Sequence, residues 1–224
     1  MSAVSTLTKM YESVLRNRSL IFALALRDLK SRYAGTLGGL LWAFVHPLAI
    51  VVIFYFVFAV GFRAQGLGDT PFILWFVCGL VPWFFFSETL KAMTDSIFNN
   101  SHLVKKTIFP SEILPFVHLA SGLLHHVIFL SILIGMVFFF QVPFLFDRIL
   151  VVYFLFSSCV LLIGLGWLLS ALQVFYRDVS QGLTIFLNLW FWVTPIVWSS
   201  GIMPDRIQHL MIYNPVHYIV EGYR

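Results

Sequence analysis

The chain has 224 residues, of which 60% are hydrophobic, 18% are aromatic and 11% are charged, and its formal net charge is +4. Soluble domains carry about 25% charged residues, so this composition excludes an ordinary water-soluble domain. The basic residues concentrate between apolar stretches. The positive charge therefore indicates membrane topology and gives no reason to expect a nucleic-acid partner.

Residues 1–35 form the first predicted element, a cytosolic region with a short amphipathic helix. Apolar side chains recur there with the spacing of one helical face, at Leu7, Met10, Tyr11, Val14 and Leu15. Such a helix either lies flat in the membrane interface or docks on a partner protein, and the pattern leaves both alternatives open. The apolar run at residues 20–26 is at the lower length limit of a signal peptide and charged residues follow at once, so we expect no cleavage.

Five apolar stretches follow, each close to or above the roughly 20 residues that a helix needs to cross a bilayer. They cover residues 37–62, 72–90, 113–142, 149–175 and 183–199. The sequence therefore predicts an all-α integral membrane protein with five spans. Basic residues concentrate before the first span, between the second and third, and between the fourth and fifth, so the positive-inside rule predicts a cytosolic N-terminus. The C-terminus would then lie outside, and we expect the sequence to be the front part of a longer chain with a sixth span.

Prolines and glycines modify these spans. We expect Pro47, Pro82 and Pro195 to interrupt the first, second and fifth spans, as prolines do in helices that lie beside protein or water. Gly35 and Gly39 form a Gly-x-x-x-Gly motif at the start of the first span. We expect this motif to let another helix approach closely, either from this chain or from a second subunit.

Aromatic side chains are dense in the first and fifth spans, and their flat faces can stack on the C–H faces of sugars. A helix places Phe186 and Trp190 on one face, and Phe191 and Trp198 on another. We predict that Phe186 and Trp190 face a carbohydrate conduit, while packing against lipid stays open for any single ring. In the first span the predicted conduit residues are Trp42, Phe44 and Tyr55.

The third span carries a polar stripe at His118, Ser121, Gly122 and His125, with His126 beside it. Haem ligation and proton transfer are two known uses of histidines inside membranes. No second span carries a matching pair of spaced histidines. A hydrogen-bonded stripe that faces other helices is therefore the better interpretation.

Motifs for catalysis and nucleotide binding are absent from the sequence, which has no Gly-rich phosphate loop, no metal-ligand cluster and no nucleophile elbow. The two cysteines, Cys78 and Cys159, lie within predicted spans and indicate neither a disulfide framework nor a metal site. Secondary transporters usually contain internal repeats, and none is visible here. We therefore predict a non-enzymatic permease that takes its energy from a separate ATPase subunit.

A series of short motifs follows along nearly the whole chain. It opens with Arg32-Tyr33-x-Gly35-x-Leu37-Gly38, Trp42 and His46-Pro47. It continues with Gly79-Leu80-x-Pro82-Trp83, Asn100-x-x-Leu103-Val104-Lys105-Lys106, Phe175-Tyr176-Arg177-Asp178, Thr194-Pro195-Ile196, Asn214-Pro215 and Glu221-Gly222-Tyr223-Arg224. Together these motifs resemble those of bacterial ABC-2-type permeases that export polysaccharides and polyol phosphates. The chain departs from the family at Tyr176, which is inserted in a phenylalanine–arginine–aspartate turn.

The resemblance implies a six-span helical bundle in the bacterial cytoplasmic (inner) membrane, surrounded by lipid, with two permease copies and two copies of a cytosolic ABC ATPase. The ATPase would bind ATP and magnesium, so no cofactor is expected in this chain. The implied substrate is a lipid-linked polysaccharide such as an O-antigen, a capsular polymer or a teichoic-acid-like polymer. A small-lipid or drug exporter of the same superfamily is the alternative, and the aromatic density favours long sugars.

The resemblance also assigns residues to three places. The ATPase would dock at Met10, Tyr11, Val14, Asn100, Leu103, Val104, Lys105, Lys106, Arg177 and Asp178. The first and fifth spans of both copies would enclose the conduit. Residues 200–224 would fold back towards the membrane as an external gate that contains Pro204, Asn214, Pro215, Glu221, Tyr223 and Arg224.

Overall fold

The computed structural model describes residues 12–32, 34–63, 71–101, 110–142 and 149–224, and every regular element among them is helical. The main helices are α1 (Arg18–Ser31), α2 (Trp42–Tyr55), α3 (Phe72–Asn99), α4 (Leu114–Phe139), α5 (Leu150–Phe175), α6 (Val179–Val193), α7 (Asp205–Met211) and α8 (Pro215–Gly222). Residues 12–16 are also helical and lead into α1. The prediction of an all-α membrane protein is confirmed.

Four helical segments of the described chain are long and apolar enough to cross a membrane: Trp42–Gly61, Phe72–Asn99, Ser111–Phe139 and Leu150–Phe175. α6 has only 15 residues. At 1.5 Å per residue it is about 22 Å long, less than the roughly 30 Å of a hydrocarbon core. The helix ends at Val193, short of the predicted bound at residue 199, and the predicted interruption at Pro195 is confirmed. Thr194 before this proline is extended at ψ 131°, a conformation that proline favours in the residue preceding it.

Pro47 and Pro82 do not interrupt their helices, contrary to the prediction. Pro47 lies within α2, and Pro82 lies within α3. Neighbouring helices in a membrane bundle can compensate for the backbone hydrogen bond that a proline removes. The irregularity of the first span comes later, where the chain becomes π-helical over Phe56–Gly61.

The Gly-x-x-x-Gly motif also has a different explanation in this chain. Gly35 and Gly39 lie before α2, with φ angles of +78° and +47°. A Cβ atom at either position would meet nothing within 4 Å. These glycines therefore allow the left-handed backbone of the turn into α2, and among the described residues no helix of this chain approaches them closely, contrary to the prediction.

α3 is the central helix of the bundle, and most of its residues are buried. It packs against α4 on one side and α5 on another, while α6 and α2 make smaller contacts with it. α1 packs on the first turns of α4, where Ile21 and Ala25 meet Ile113 and Val117. We call this end of the bundle the α1 end.

Residues 200–224, which we call the return segment, fold back onto the bundle. Their two helices have 7 and 8 residues, which is too short to cross a membrane. α8 packs against both α3 and α5. Two glycines allow this close packing: a Cβ at Gly222 would overlap the Phe154 ring, and a Cβ at Gly79 would lie 2.9 Å from Arg224 Nη2.

Candidate transport path and coupling surface

At the α1 end, the N-terminal segment contacts the residues that precede α4. Ser13 Oγ donates a hydrogen bond to Glu112 Oε1 at 3.1 Å. Val14 packs against the small apolar cluster that joins α1 to α4. The segment before α1 and the connection before α4 were both predicted to dock on an ATPase, and they are neighbours in space.

The carboxylate of Asp28 on α1 binds polar groups of α4 and of its own helix. Ser121 Oγ donates a hydrogen bond to Asp28 Oδ2 at 2.6 Å, and Arg32 Nη2 lies 3.3 Å from the same oxygen. His118 Nδ1 is 3.7 Å away. Burial alone would raise the pKa of Asp28, but His118, Ser121 and Arg32 outweigh it and hold that pKa well below its usual range. Asp28 is therefore a carboxylate at neutral pH.

A cavity of about 690 Å³ opens beside these groups, and we call it the polar cavity. Its lining comes from α1, α2, α3 and α4 and includes Asp28, Arg32, Trp42, His46, Glu88, Lys91 and Asp95. Glu88 Oε2 lies 3.2 Å from His125 Nδ1, so Glu88, like Asp28, has a partner within the bundle. Among the described residues no three His, Cys, Asp or Glu side chains are arranged to hold a metal ion.

The turn between α5 and α6 also lies at the α1 end. Gln173 bridges it: its Oε1 accepts a hydrogen bond from Ser180 N at 2.9 Å, and its Nε2 donates to the Arg177 carbonyl at 3.2 Å. Ser180 Oγ donates to Asp95 Oδ2 on α3 at 3.1 Å. The Arg177 guanidinium lies 5.5 Å from the centre of the Phe98 ring. The turn is thus fixed to the last turns of α3.

A second cavity of about 470 Å³ runs between α2, α3 and α6, and we call it the aromatic groove. Its rings are Phe54, Trp83, Phe84, Phe191 and Trp192. Phe191 connects the other two helices, because its ring centre is 5.6 Å from that of Trp83 and 6.2 Å from that of Phe54. Hydroxyl and amide groups of Ser87, Thr184 and Asn188 lie along the same groove.

The polar cavity and the aromatic groove meet on one turn of α3. Glu88 and Lys91 line both of them. The two cavities thus follow each other along the bundle, with charged groups at the α1 end and aromatic rings beyond them. A long polar molecule with apolar C–H faces matches both surfaces: its polar groups can meet the charged side chains of the polar cavity, and its C–H faces can stack on the rings of the aromatic groove.

The return segment is attached to the bundle just before α8 and at its end. Asn214 Oδ1 accepts hydrogen bonds from Trp190 Nε1 and from Val216 N, each at 3.1 Å, and Asn214 Nδ2 donates to Thr194 Oγ1 at 3.1 Å. At the other end, the Tyr223 hydroxyl and His126 Nε2 form a hydrogen bond of 3.1 Å.

Arg224 completes the attachment. Its guanidinium lies 3.7 Å above the Trp75 ring and donates a 2.9 Å hydrogen bond to the Ile196 carbonyl. It also pairs with Glu221 at 2.8 Å. Pro204 precedes α7, and Pro215 begins α8, where a proline costs the helix no hydrogen bond.

Comparison with known proteins decides the family. A model of the ABC-2 type transporter family matches residues 19–224. The chain belongs to the ABC-2 type transporter family. It is 27% identical over 206 residues to an O-antigen export system permease protein RfbA of Klebsiella pneumoniae, which covers 92% of this chain and 78% of that protein.

Two further relatives of this ABC-2 permease span most of its length. An O-antigen export system permease protein RfbA of Myxococcus xanthus is 28% identical over 224 residues, covering 96% of this chain and 83% of the relative. The polysialic acid transport protein KpsM of Escherichia coli is 22% identical over 207 residues, covering 89% and 77%. The resemblance inferred from the motifs is confirmed at the level of the family.

The structure describes only part of the predicted coupling residues of the permease. Val14, Asn100, Arg177 and Asp178 all lie at the α1 end, and Asn100 Nδ2 donates to the Ser96 carbonyl at 2.8 Å. The other predicted coupling residues lie outside the described chain: Met10, Tyr11, Leu103, Val104, Lys105 and Lys106.

The predicted conduit residues lie in different surroundings. Phe186 and Trp190 share a face of α6, with ring centres 5.0 Å apart. Trp190 turns towards α3 and the return segment, where its ring meets Phe86 at 5.5 Å. Trp42 lines the polar cavity, and Phe44 and Tyr55 are exposed on α2. Neither Phe186 nor Trp190 lines the aromatic groove, and their role in a conduit stays a prediction.

Several functional candidates of the permease were not assigned from the sequence. The groove residues Phe54, Trp83 and Phe84 come from α2 and α3. Trp83 belongs to one of the family-like motifs, but no sequence feature placed these three rings in one groove. The polar stripe of the third span was recognised, and its interpretation as a hydrogen-bonded stripe facing other helices is confirmed by Ser121 and His126. Gln173 carried no signal in the sequence.

Proposed function

We propose that the protein is the transmembrane subunit of an ATP-driven exporter of a lipid-linked polysaccharide. The observation that carries this proposal is the family match over residues 19–224, together with relatives named for O-antigen export and polysialic acid transport. The order of the polar cavity and the aromatic groove supports it. The polymer would be an O-antigen, a capsular polymer or a teichoic-acid-like polymer in the bacterial inner membrane.

ATP hydrolysis takes place in a separate subunit of this proposed exporter. Two copies of the permease pair with two copies of a cytosolic ATPase, which binds ATP and magnesium. The α1 end faces the cytosol, and the ATPase docks on the N-terminal helix, on residues 99–112 and on the turn at Arg177 and Asp178. The hydrogen bond between Ser13 and Glu112 and the attachment of the turn to α3 support one continuous docking surface.

The polymer moves over aromatic rings in this proposal. Each ring contributes on the order of 1 kcal/mol of stacking, so many weak contacts replace a few strong ones. A chain of sugars then keeps its attraction to the wall while it slides. The return segment acts as the gate at the opposite end of the path, since it folds back on the bundle through Asn214 and Tyr223.

Deletion of the coding sequence in a cell that makes a surface polysaccharide tests this function. We expect the polymer to disappear from the surface and to accumulate on its lipid carrier inside, and the intact permease to co-purify with an ABC ATPase. A normal surface polymer together with a lost resistance to a drug would overturn the proposal in favour of the small-substrate alternative.

Paired variants test which face of α6 meets the polymer. Replacement of Phe186 and Trp190 by Ala should slow export without preventing assembly with the ATPase. The helical spacing that paired Phe191 with Trp198 was wrong, because Trp198 lies beyond the end of α6 at Val193. The comparison variant therefore replaces only Phe191, which lines the aromatic groove, by Ala. An equal or larger loss of export from Phe191→Ala, or wild-type export after the first replacement, would contradict the assignment of faces and favour the aromatic groove as the wall that meets the polymer.

A further inference from the structure

Polar groups of α4 hold two separate parts of the protein through hydrogen bonds. Near the α1 end, Ser121 Oγ donates to Asp28 of α1 at 2.6 Å. Farther along the same helix, His126 Nε2 binds the Tyr223 hydroxyl of the return segment at 3.1 Å. Ser121 and His126 are both buried, so losing either hydrogen bond costs free energy that water does not restore.

α4 is also fixed to the central helix between these two contacts. Gly122 lies so close to Thr89 of α3 that an added Cβ would overlap the Thr89 hydroxyl. His125 Nδ1 lies 3.2 Å from Glu88 Oε2 of α3 on the adjacent turn. Close-packed interiors of this kind transmit displacement instead of absorbing it. A displacement at the start of α4 is therefore carried along this helix as far as His126.

We propose that α4 couples α1 to the return segment: a displacement of α1 is transmitted through Ser121 and α4 to the hydrogen bond between His126 and Tyr223. The proposal rests on the proposed function for its role, since α1 lies at the surface where the ATPase docks and the return segment is the gate. His126 is then the residue that positions the gate.

The geometry requires only a small movement. Helix shifts at interfaces in switching proteins are typically about 1–2 Å. A shift of about 2 Å along α4, at right angles to the 3.1 Å contact between His126 and Tyr223, lengthens that contact to about 3.7 Å, beyond the roughly 3.5 Å limit of a hydrogen bond. The contact therefore responds to a displacement that leaves the helices folded and packed.

Hydrogen–deuterium exchange of the purified permease in lipid nanodiscs tests the proposal without any transport measurement. The readout is the exchange rate of the backbone amides of α8. Tyr223→Phe removes the hydroxyl and keeps the ring, and we expect α8 to exchange about fivefold faster, as for the loss of one hydrogen bond. Tyr213→Phe is the matched control, because this exposed tyrosine precedes α8 and should leave the rate unchanged.

The decisive variant lies at the other contact. Ser121→Ala removes the donor to Asp28, and we expect α8, which Ser121 does not touch, to exchange at least about twofold faster. Ser131→Ala is the control on the same helix, since Ser131 is exposed and donates to the Ile128 carbonyl of its own helix. Asp28→Ala removes the acceptor from α1 and replaces the test if Ser121→Ala does not fold.

The double variant separates coupling from independent effects. Distant sites without a shared partner have additive free energies, so their rate effects multiply. If α4 couples the two contacts, adding Ser121→Ala to the Tyr223→Phe variant should raise the exchange rate of the α8 amides by less than about twofold. An unchanged α8 rate in Ser121→Ala, or full multiplication in the double variant, would overturn the proposal. Because exchange is measured without substrate or ATPase, either result leaves the proposed transport function to be judged by its own test.

Discussion

Replacing Gly122 by alanine should destabilise the bundle, although alanine is the better helix former. A Cβ atom at position 122 would overlap Thr89 Oγ1 and would lie 3.1 Å from both Thr89 Cβ and Thr89 Cγ2. At Gly135 on the same helix, an added Cβ would meet no atom of another described residue within 4 Å, apart from its own helix backbone and chain neighbours. Gly135→Ala therefore carries the same gain in helix propensity, about 1 kcal/mol, without the overlap.

The difference between the two variants isolates the overlap. Overpacking a dense interior costs about 1–3 kcal/mol, so we expect Gly122→Ala to be about 1–3 kcal/mol less stable than Gly135→Ala. Reversible unfolding in mixed detergent micelles, followed by circular dichroism, measures both free energies. Thr89→Ala should recover most of the loss in the Gly122→Ala background, because it removes the overlapping hydroxyl. Equal stability of the two glycine variants would refute the close packing of α3 on α4.

Three further outcomes are expected. Asp28→Asn should lower the free energy of unfolding by about 1–2 kcal/mol. Because the pKa of Asp28 is lowered in the folded protein, this loss should be constant from about pH 5 to 8 and become smaller only below about pH 4. Asn214→Ala removes a helix cap and the acceptor of Trp190, so thermal unfolding should show a loss of about 2–3 kcal/mol, whereas Asn188→Ala should change stability by less than about 0.5 kcal/mol. Reversal of charge at Lys105 and Lys106 should abolish export while membrane insertion, measured by fractionation, stays normal; unchanged export would make them topology signals only.

Hydropathy was sufficient to predict the helices that meet lipid along most of their length. Residues 113–142 and 149–175 were predicted as spans, and α4 and α5 cover Leu114–Phe139 and Leu150–Phe175. These bounds follow from the thickness of the hydrocarbon core, which acts on each segment independently of its neighbours. The same reasoning identified the number of apolar segments but not the length of α6.

Hydropathy failed where polar residues are buried by packing. The predicted second span ended at residue 90, yet α3 continues to Asn99. Thr94 and Ser96 are fully buried there and bond the carbonyls of Leu90 and Met93 at 2.8 and 2.6 Å. These last turns depend on neighbouring helices, since Ser180 at the start of α6 binds Asp95. Hydropathy averaged over a short stretch of sequence cannot identify contacts with residues so far along the chain.

In the candidate site, too, features set by neighbouring residues were predicted and features set by distant residues were not. Helical spacing correctly placed Phe186 and Trp190 on one face. The direction of that face depends on Asn214, which lies 24 residues farther along the chain and binds the Trp190 indole. The α1 helix itself was not predicted, because residues 20–26 are apolar without interruption and show no polar face. Its buried side, at Ile21 and Ala25, is defined by packing on the start of α4.

The distribution of exposed apolar residues bears on how a polymer could be enclosed. The aromatic groove has walls from α2, α3 and α6. Large apolar side chains on the outward faces of α2 and α6, among them Val52, Ile53, Ile185 and Leu189, are exposed. Lipid can cover such faces, but lipid cannot solvate the hydroxyl groups of a sugar chain in the groove.

A polymer in this groove therefore needs a further protein wall that carries polar and aromatic groups. In the proposed function this wall would come from a second copy of the permease, because a two-fold axis beside α2 and α6 would bring the same aromatic and polar groups to the opposite side. Among the described residues, the contacts between α3, α4 and α5 are close, as the overlaps expected at Gly122 and Gly166 illustrate. Under that proposal the closely packed helices would transmit movement, and the groove, once paired, would hold the substrate.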